Sequence, residues 1–275
     1  MGNSNLKKLQ FVVILGFATF VALGFTLVQR GFTEIARIGQ NTFRAVGPQA
    51  KQTRSVGDFD RVQAGGIYEV DIRFGSTPSV VIEAPKDLLP YLTSDISGGT
   101  LNLASNRNFN LSDNAKIKAH IVTRRLRAAS ISGAGKMVIN GKISDGSFDA
   151  SASGAASLKF SAAVDTFRLD ASGAAKTTVS SLRAQHMDIQ ASGAAECMID
   201  GSVGSSKIEA SGSCNIKGQL TSDTAEVQTS GAAHATLRVT NALVGEATGA
   251  SSITYGGRPS KVTAHTSGVG SINRD

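Results

Sequence analysis

Along much of this chain, apolar and polar residues alternate one by one. In "FDRVQAGGIYEVDI" (59–72), Val62, Ala64, Val70 and Ile72 share one parity. "SVVIEA" (79–84) and "AKIKAHIVT" (115–123) read as further strands, and "PKDLLPYL" (85–92) as a helical turn or loop. "SDISGGTLNLAS" (94–105) offers a hairpin or corner at Gly98-Gly99. A period of two puts successive side chains on opposite faces of an extended strand. Helical spacing finds no support here.

From residue 126 onward the alternation is punctuated at a nearly fixed interval. "DASASGAASLKF", "RLDASGAAKTTV" and "DIQASGAAECMI" follow one another. The repeated glycines are Gly133, Gly154, Gly173, Gly193, Gly212, Gly231, Gly249 and Gly268, at steps of 21, 19, 20, 19, 19, 18 and 19. A small hydroxylated residue precedes each, from Ser132 to Thr248 and Ser267. Even offsets from the glycine are mostly apolar or small: Leu169 and Ala171 before Gly173, Cys197 after Gly193, Ile216 after Gly212. Self-similarity at a period near 20 marks a solenoid, and the period of two makes it one of strands. The predicted fold is all-β, a parallel β-helix of about 19–20 residues per coil. Regular coils cover about 126–275, and residues 54–130 read as less regular early coils. A sharp corner needs unusual dihedrals or the absence of a Cβ, and glycine supplies both. The adjacent alanines let coils approach at a strand spacing of about 4.8 Å. The serine hydroxyls are expected to form a ladder, each bonding a corner backbone group.

If coils stack in register, matching positions become neighbours. Five residues before the glycine stand Asp149, Arg168, Asp188, Lys207 and Glu226, alternating in sign. Three before stand Ser151, Asp170, Gln190, Glu209, Gln228, Glu246 and His265, acids mostly separated by amides. Like charges directly opposite would repel, so both series support the register. Inside, Phe148, Phe167 and Met187 should form an apolar stack. Cys197 and Cys214 both point inward but in different columns, and read as buried free thiols.

The N-terminal region differs. Residues 9–28, "LQFVVILGFATFVALGFTLV", carry no charge over a length that could span a bilayer as a helix. An uncleaved transmembrane anchor is favoured over a cleaved signal peptide, because the apolar run continues past "ALG" at 22–24. The expected organisation is a membrane or signal segment at 1–28, a linker at 29–53 and a β-helix domain at 54–275. The expected location is a bacterial cell membrane, single-pass, with the domain in the periplasm or outside the cell.

Composition and charge narrow the function. With 12 Phe, 3 Tyr, no Trp and 30 Gly, the core must rely on small and β-branched side chains. The formal charge of +7 is concentrated at the start, where residues 1–44 hold a net +4 and the remaining 231 only +3. That argues against a nucleic-acid partner, which wants a basic face on the domain itself. The cluster "TRRLR", with Arg124, Arg125 and Arg127, reads as a solvated strand edge, with an anion-binding patch as the alternative. Two cysteines are too few for a disulfide scaffold. His120, His186, His234 and His265 share no metal-ligand spacing, and His265 is expected beside Glu246. No base accompanies the serine ladder, so it is not read as a row of nucleophiles. No metal or cofactor is expected.

The segments "RSVGDFDRVQAGGIYEVDIRFG" and "SVVIEAPKDLLPYLTSDISGGTLNLAS", followed by the train of "SGAA" coils, resemble the head GIN domain family. These bacterial proteins are labelled "putative autotransporter adhesins", and the resemblance spans about residues 54–275. It implies a right-handed parallel β-helix in an extracytoplasmic protein, and brings no catalytic or binding residues with it. The chain departs from Ser-Gly-Ala-Ala at "SGSC" (211–214), "TGAS" (248–251) and "SGVG" (267–270). The expected function is non-enzymatic: a membrane-anchored envelope module presenting a repetitive face to polysaccharide or protein. The alternative is a structural β-helix that stacks end to end into homo-oligomers or polymers. A carbohydrate-active enzyme ranks third, since coils this short leave no room for the long loops that build a catalytic groove.

Overall fold

The computed structural model describes residues 43–112 and 115–275. They fall into two compact units, one of residues 46–106 with 115–275, the other of residues 43–45 with Arg107–Ser112. In the smaller unit Phe43–Ala45 pairs in parallel with Phe109–Leu111, and the Arg107 guanidinium lies 5.0 Å from the centre of the Phe43 ring. The expected N-terminal helix at 9–28 lies outside the described residues. Among the described residues no helix is long and apolar enough to cross a membrane.

The larger unit is an all-β solenoid of right-handed type with about 8 turns, the hand that strand twist favours for parallel connections. Long strands such as Ser157–Ala171, Lys176–Ala191 and Glu196–Ala210 pair in parallel with the next lap. The register is the predicted one. Asp149 faces Arg168, Arg168 faces Asp188, Asp188 faces Lys207 and Lys207 faces Glu226. Phe148, Phe167 and Met187 stack in the core. The rings of Phe148 and Phe167 are nearly parallel at 6.4 Å, and Phe160 meets both edge-on at 5.1 and 5.7 Å.

The corners form a column of backbone on backbone. Each repeated glycine has φ between 72° and 87°. A Cβ placed on it would lie 2.5 to 3.0 Å from the carbonyl oxygen of the corner glycine one lap earlier. The amide after the glycine donates to that same oxygen: Ala174 N to Gly154 O and Ala194 N to Gly173 O, both 2.7 Å. Backbone therefore satisfies the corner, and the expected bonds from corner serine hydroxyls do not form. Thr248 alone reaches a carbonyl, that of Thr229 at 3.4 Å. The departures from the motif also have a reason. Cys214 and Ser251 occupy the position two after the glycine, where Ala175 and Ala195 sit fully buried in other laps. Each points back to the carbonyl three residues earlier, Cys214 Sγ to Ser211 O and Ser251 Oγ to Thr248 O, at 3.0 and 2.9 Å.

The early region differs from the expectation of several irregular coils. Arg61–Gly66 and Tyr68–Phe74 form one regular lap that pairs directly with Ala128–Gly133 and Lys136–Ile143. Gly66 thereby joins the corner column beneath Gly133. The intervening residues close that end. Thr100–Ser105 and Ile117–Thr123 add parallel strands, and Ser79–Pro85 and Leu92–Ser97 fold back antiparallel on them. The hairpin at Gly98-Gly99 and a short 3-10 turn at Leu89–Tyr91 match the sequence reading. Leu88, Leu89 and Leu92 are buried there. Part of the expected linker belongs to the fold: Gln49–Arg54 pairs antiparallel with Ser79–Pro85. Its polar sequence looked like a tether because an edge strand exposes most of its side chains.

The lap from Gly173 to Gly193 has 20 residues where the next has 19. The register slips between Val179 and Leu182, and Ser181 takes φ 56°. Gly173→Ala should lose at least about 2 kcal/mol in urea unfolding, because a left-handed dihedral and a backbone clash act together. Ser181→Gly should stay within about 1 kcal/mol of the parent, because relief of the dihedral offsets the entropy of glycine, whereas Ser181→Val should cost about 1–2 kcal/mol.

Candidate functional site

Of the solenoid's surfaces, the one leading into the corner column is the most regular. Its outward positions run Gln63, Ser130, Ser151, Asp170, Gln190, Glu209, Gln228, Glu246 and His265, each opposite the next in parallel register. At about 4.8 Å per lap the row spans roughly 38 Å. Two grooves run along it and meet at Asp170. One, of about 540 Å³, is floored by Ala171, Ala191, Ala210 and Thr229, with the acid–amide row on one side and Ser172, Ser192, Ser211, Ser230 and Thr248 on the other. The second, of about 210 Å³, continues the face across Ser151, Ser130 and Gln63 to Arg61. Neither lining contains Phe, Tyr or Trp.

The floor is low because small inward residues bring the strand backbone close to the surface. The walls carry acceptors that the fold leaves free. Apart from that of Thr248, the corner hydroxyls are not used by the corners, and among the described residues Asp170 and Glu246 have no cation within ion-pair distance. Glu209 pairs with Lys207 at 2.7 Å along its own strand. The expected alternating ladder thus closes only once between laps, at Arg168–Asp149, 3.6 Å. Lys207 turns to Glu209 along its own strand instead of Asp188 or Glu226 on the neighbouring laps. Two further grooves, of about 680 and 470 Å³, flank Arg183 and His186.

The surface beyond the corner is closed by ion pairs. Glu196 lies 2.7 Å from Lys217 and 3.0 Å from Lys176, and the hydrogen bond from Lys217, then that from Lys176, holds its carboxyl below the usual range. Glu83 takes Lys51 and Lys118 at 3.6 Å each, with His120 at 3.8 Å.

The sequence-predicted candidates fall as follows. Gly133, Gly154, Gly173, Gly193, Gly212, Gly231, Gly249 and Gly268 stand together in the corner column. Arg124, Arg125 and Arg127 gather at the closed end, where Arg124 meets Asp58 at 3.3 Å while Arg125 and Arg127 approach Asp60 at 3.3 and 3.9 Å. His186 Nδ1 lies 2.8 Å from Ser205 Oγ and His234 Nδ1 lies 2.6 Å from Ser252 Oγ. Both are exposed contacts between adjacent laps, and among the described residues no carboxylate is bonded behind either imidazole. His265 stands opposite Glu246 as expected. Among the described residues no group of three His, Cys, Asp or Glu is placed to hold a metal ion. The grooves themselves were not predicted. The signal available was the run of alanines and serines at fixed offsets, which the sequence reading assigned to coil packing and to hydrogen bonds within the corners.

Residues 58–259 match the family described as "Putative auto-transporter adhesin, head GIN domain". The chain belongs to the head GIN domain family. Solved structures share the fold of this head GIN domain at low identity. A "putative adhesin" from Parabacteroides merdae has a TM-score of 0.81 at 17% identity, covering 86% of this chain and 99% of that one. A "putative lipid binding protein" from Parabacteroides distasonis gives 0.79 at 17%, covering 85% and 99%. A "putative adhesin" from the same organism gives 0.77 at 19%, covering 86% and 100%. No curated protein matches.

Cys197 and Cys214 are buried free thiols. Desolvation, with smaller contributions from Cys214 and Glu196, pushes the Cys197 thiol up from 9.0 to about 12. A raised folded-state pKa favours the protonated thiol. Its contribution to stability is complete below pH 9 and lost as pH rises through about 12. Because both thiols are buried, the folded protein at pH 8 should resist iodoacetamide at both cysteines, and react at both once unfolded in urea. Rapid labelling of the folded chain would show that the columns are open.

Proposed function

We propose that this head GIN domain is a non-enzymatic adhesion module that holds a polymeric envelope ligand, a polysaccharide or a protein segment, along its acid–amide–serine face. The observation that carries the reading is the pair of continuous grooves with free acceptors repeated once per lap. A repeating ligand would make many weak identical contacts there, and their sum is avidity. Without aromatic platforms, recognition rests on hydrogen bonding, so the ligand is rich in hydroxyl, amide or amine donors. The family's description as adhesins supports a non-enzymatic role and an extracytoplasmic location. In this reading the uncharged run at residues 9–28 tethers the domain to the membrane.

A second reading, self-association, has one observation in its favour. In the described residues Lys261–Gly268 and Ser271–Arg274 pair on one side only, and Val262 and Val269 are 42% and 80% exposed. The opposite end is covered by antiparallel strands, which limits stacking to this lap. Light scattering that shows mass growing with concentration would support it.

The adhesion reading is tested on an array of envelope polysaccharides and peptidoglycan fragments. Gln190→Arg with Gln228→Arg fills the groove and should weaken binding at least about tenfold through lost avidity. Thr178→Arg, on the surface beyond the corner, should leave it unchanged. Equal binding by the groove-filled variant would overturn the assignment.

A further inference from the structure

The closed end of the solenoid carries a second site, which shares Arg61 with the end of the acid–amide face. Four guanidiniums converge there on two carboxylates. Asp60, whose side chain is 15% exposed, receives Arg125 at 3.3 Å, Arg127 at 3.9 Å and Arg61 at 4.0 Å. Arg125 and Arg127 approach the same oxygen, Oδ2. Each guanidinium has five N–H donors and one carboxylate has about four acceptor sites, so most donors of this cluster stay unused. Arg124 donates Nε to the Ser76 carbonyl at 2.7 Å, which fixes its fork, and meets Asp58, whose side chain is 75% exposed. The cluster carries a net charge of +2.

The scaffold beneath is rigid. Thr123, fully buried, shares its one hydroxyl proton between the carbonyls of Phe59 and Arg125, at 3.0 and 2.9 Å, and Arg127 N donates to Asp60 O at 2.7 Å. These bonds pin the segment bearing the arginines onto the neighbouring lap. Arg124 and Arg125 flank a cavity of about 420 Å³ whose other walls are Asp58 and Asp60, which pair with these arginines, and Phe59, Pro78 and Gly99. Apolar and backbone walls on one side of a charged pair lower the local dielectric and strengthen its pull on an anion.

We propose that this cavity binds a phosphate-type oxyanion between Arg124 and Arg125, with Asp58 as the group it displaces. A guanidinium fork matches two oxygens of a phosphate. Asp58 gives up Arg124 at little cost because both are exposed. The deeper Asp60 stays paired, holding Arg125 and Arg127 in place. The same chemistry is presented by free phosphate and by the phosphodiester of a lipid headgroup or envelope polymer.

The test uses the full-length chain in non-ionic detergent, with 15N-labelled arginine side chains followed by NMR. Titration with inorganic phosphate should shift the Nε–H signals of Arg124 and Arg125 saturably. Arg124→Gln with Arg125→Gln should weaken binding at least about fivefold, and Asp58→Asn should tighten it by about threefold, as expected for exposed charge pairs. Circular dichroism of each variant checks that the fold is intact. Glycerophosphoglycerol, the soluble phosphodiester headgroup, then separates the sources. Tighter binding than inorganic phosphate assigns the site to lipid or polymer, and weaker binding assigns it to free phosphate. Shifts of equal size at Arg168 and Arg183 would reveal only a general ionic atmosphere and overturn the proposal. So would an Asp58→Asn variant with unchanged affinity.

Discussion

The fold rests on the approach of one corner to the next with nothing between them but backbone. At each corner a carbonyl oxygen accepts a bond from the amide one lap above, and a glycine sits where any side chain would strike that oxygen. The contact fixes the lap height, and the lap height puts every other residue in register. Each such bond contributes about 0.5–1.5 kcal/mol net, so a corner that failed to stack would be felt lap after lap.

From that contact the surfaces follow. Because backbone satisfies the corners, the serine hydroxyls beside them remain free for a ligand. Because the inward positions before the corner are alanines and a threonine, the strand backbone forms the floor of a shallow polar groove. Beyond the corner, long charged side chains meet across laps and neutralise one another, as at Lys176, Glu196 and Lys217. The surplus of positive charge sits at the closed end, around Asp60. One domain thus presents an acceptor-rich face and a donor-rich pole.

Most of the regular solenoid was legible in the sequence. Gly133 through Gly268 gave the lap length, and the sign changes from Asp149 to Glu226 gave the register before any coordinates. The first lap was harder. Gly66 belongs to the same column, but 67 residues separate it from Gly133, so the periodic signal is lost across the insertion that closes the end. The antiparallel pairing of Gln49–Arg54 was invisible because an exposed edge strand has no apolar face to betray it. The serines pointed to their surroundings but not to their partners. Sequence shows a hydroxyl near a corner, whereas only geometry shows that the amide has already taken the carbonyl. The arginines of "TRRLR" were visible as a cluster, but Asp60 and Arg61 reach them only through lap stacking.

The claim that backbone alone joins the corners is open to direct observation. Scalar coupling across a hydrogen bond, measured by NMR on 15N,13C-labelled protein, identifies donor and acceptor without reference to side chains. The account predicts a coupling from Ala174 N to the Gly154 carbonyl carbon, repeated from Ala194 to Gly173 and from Ala232 to Gly212. Amides of Ala174, Ala194 and Ala232 that couple to no corner glycine would contradict it.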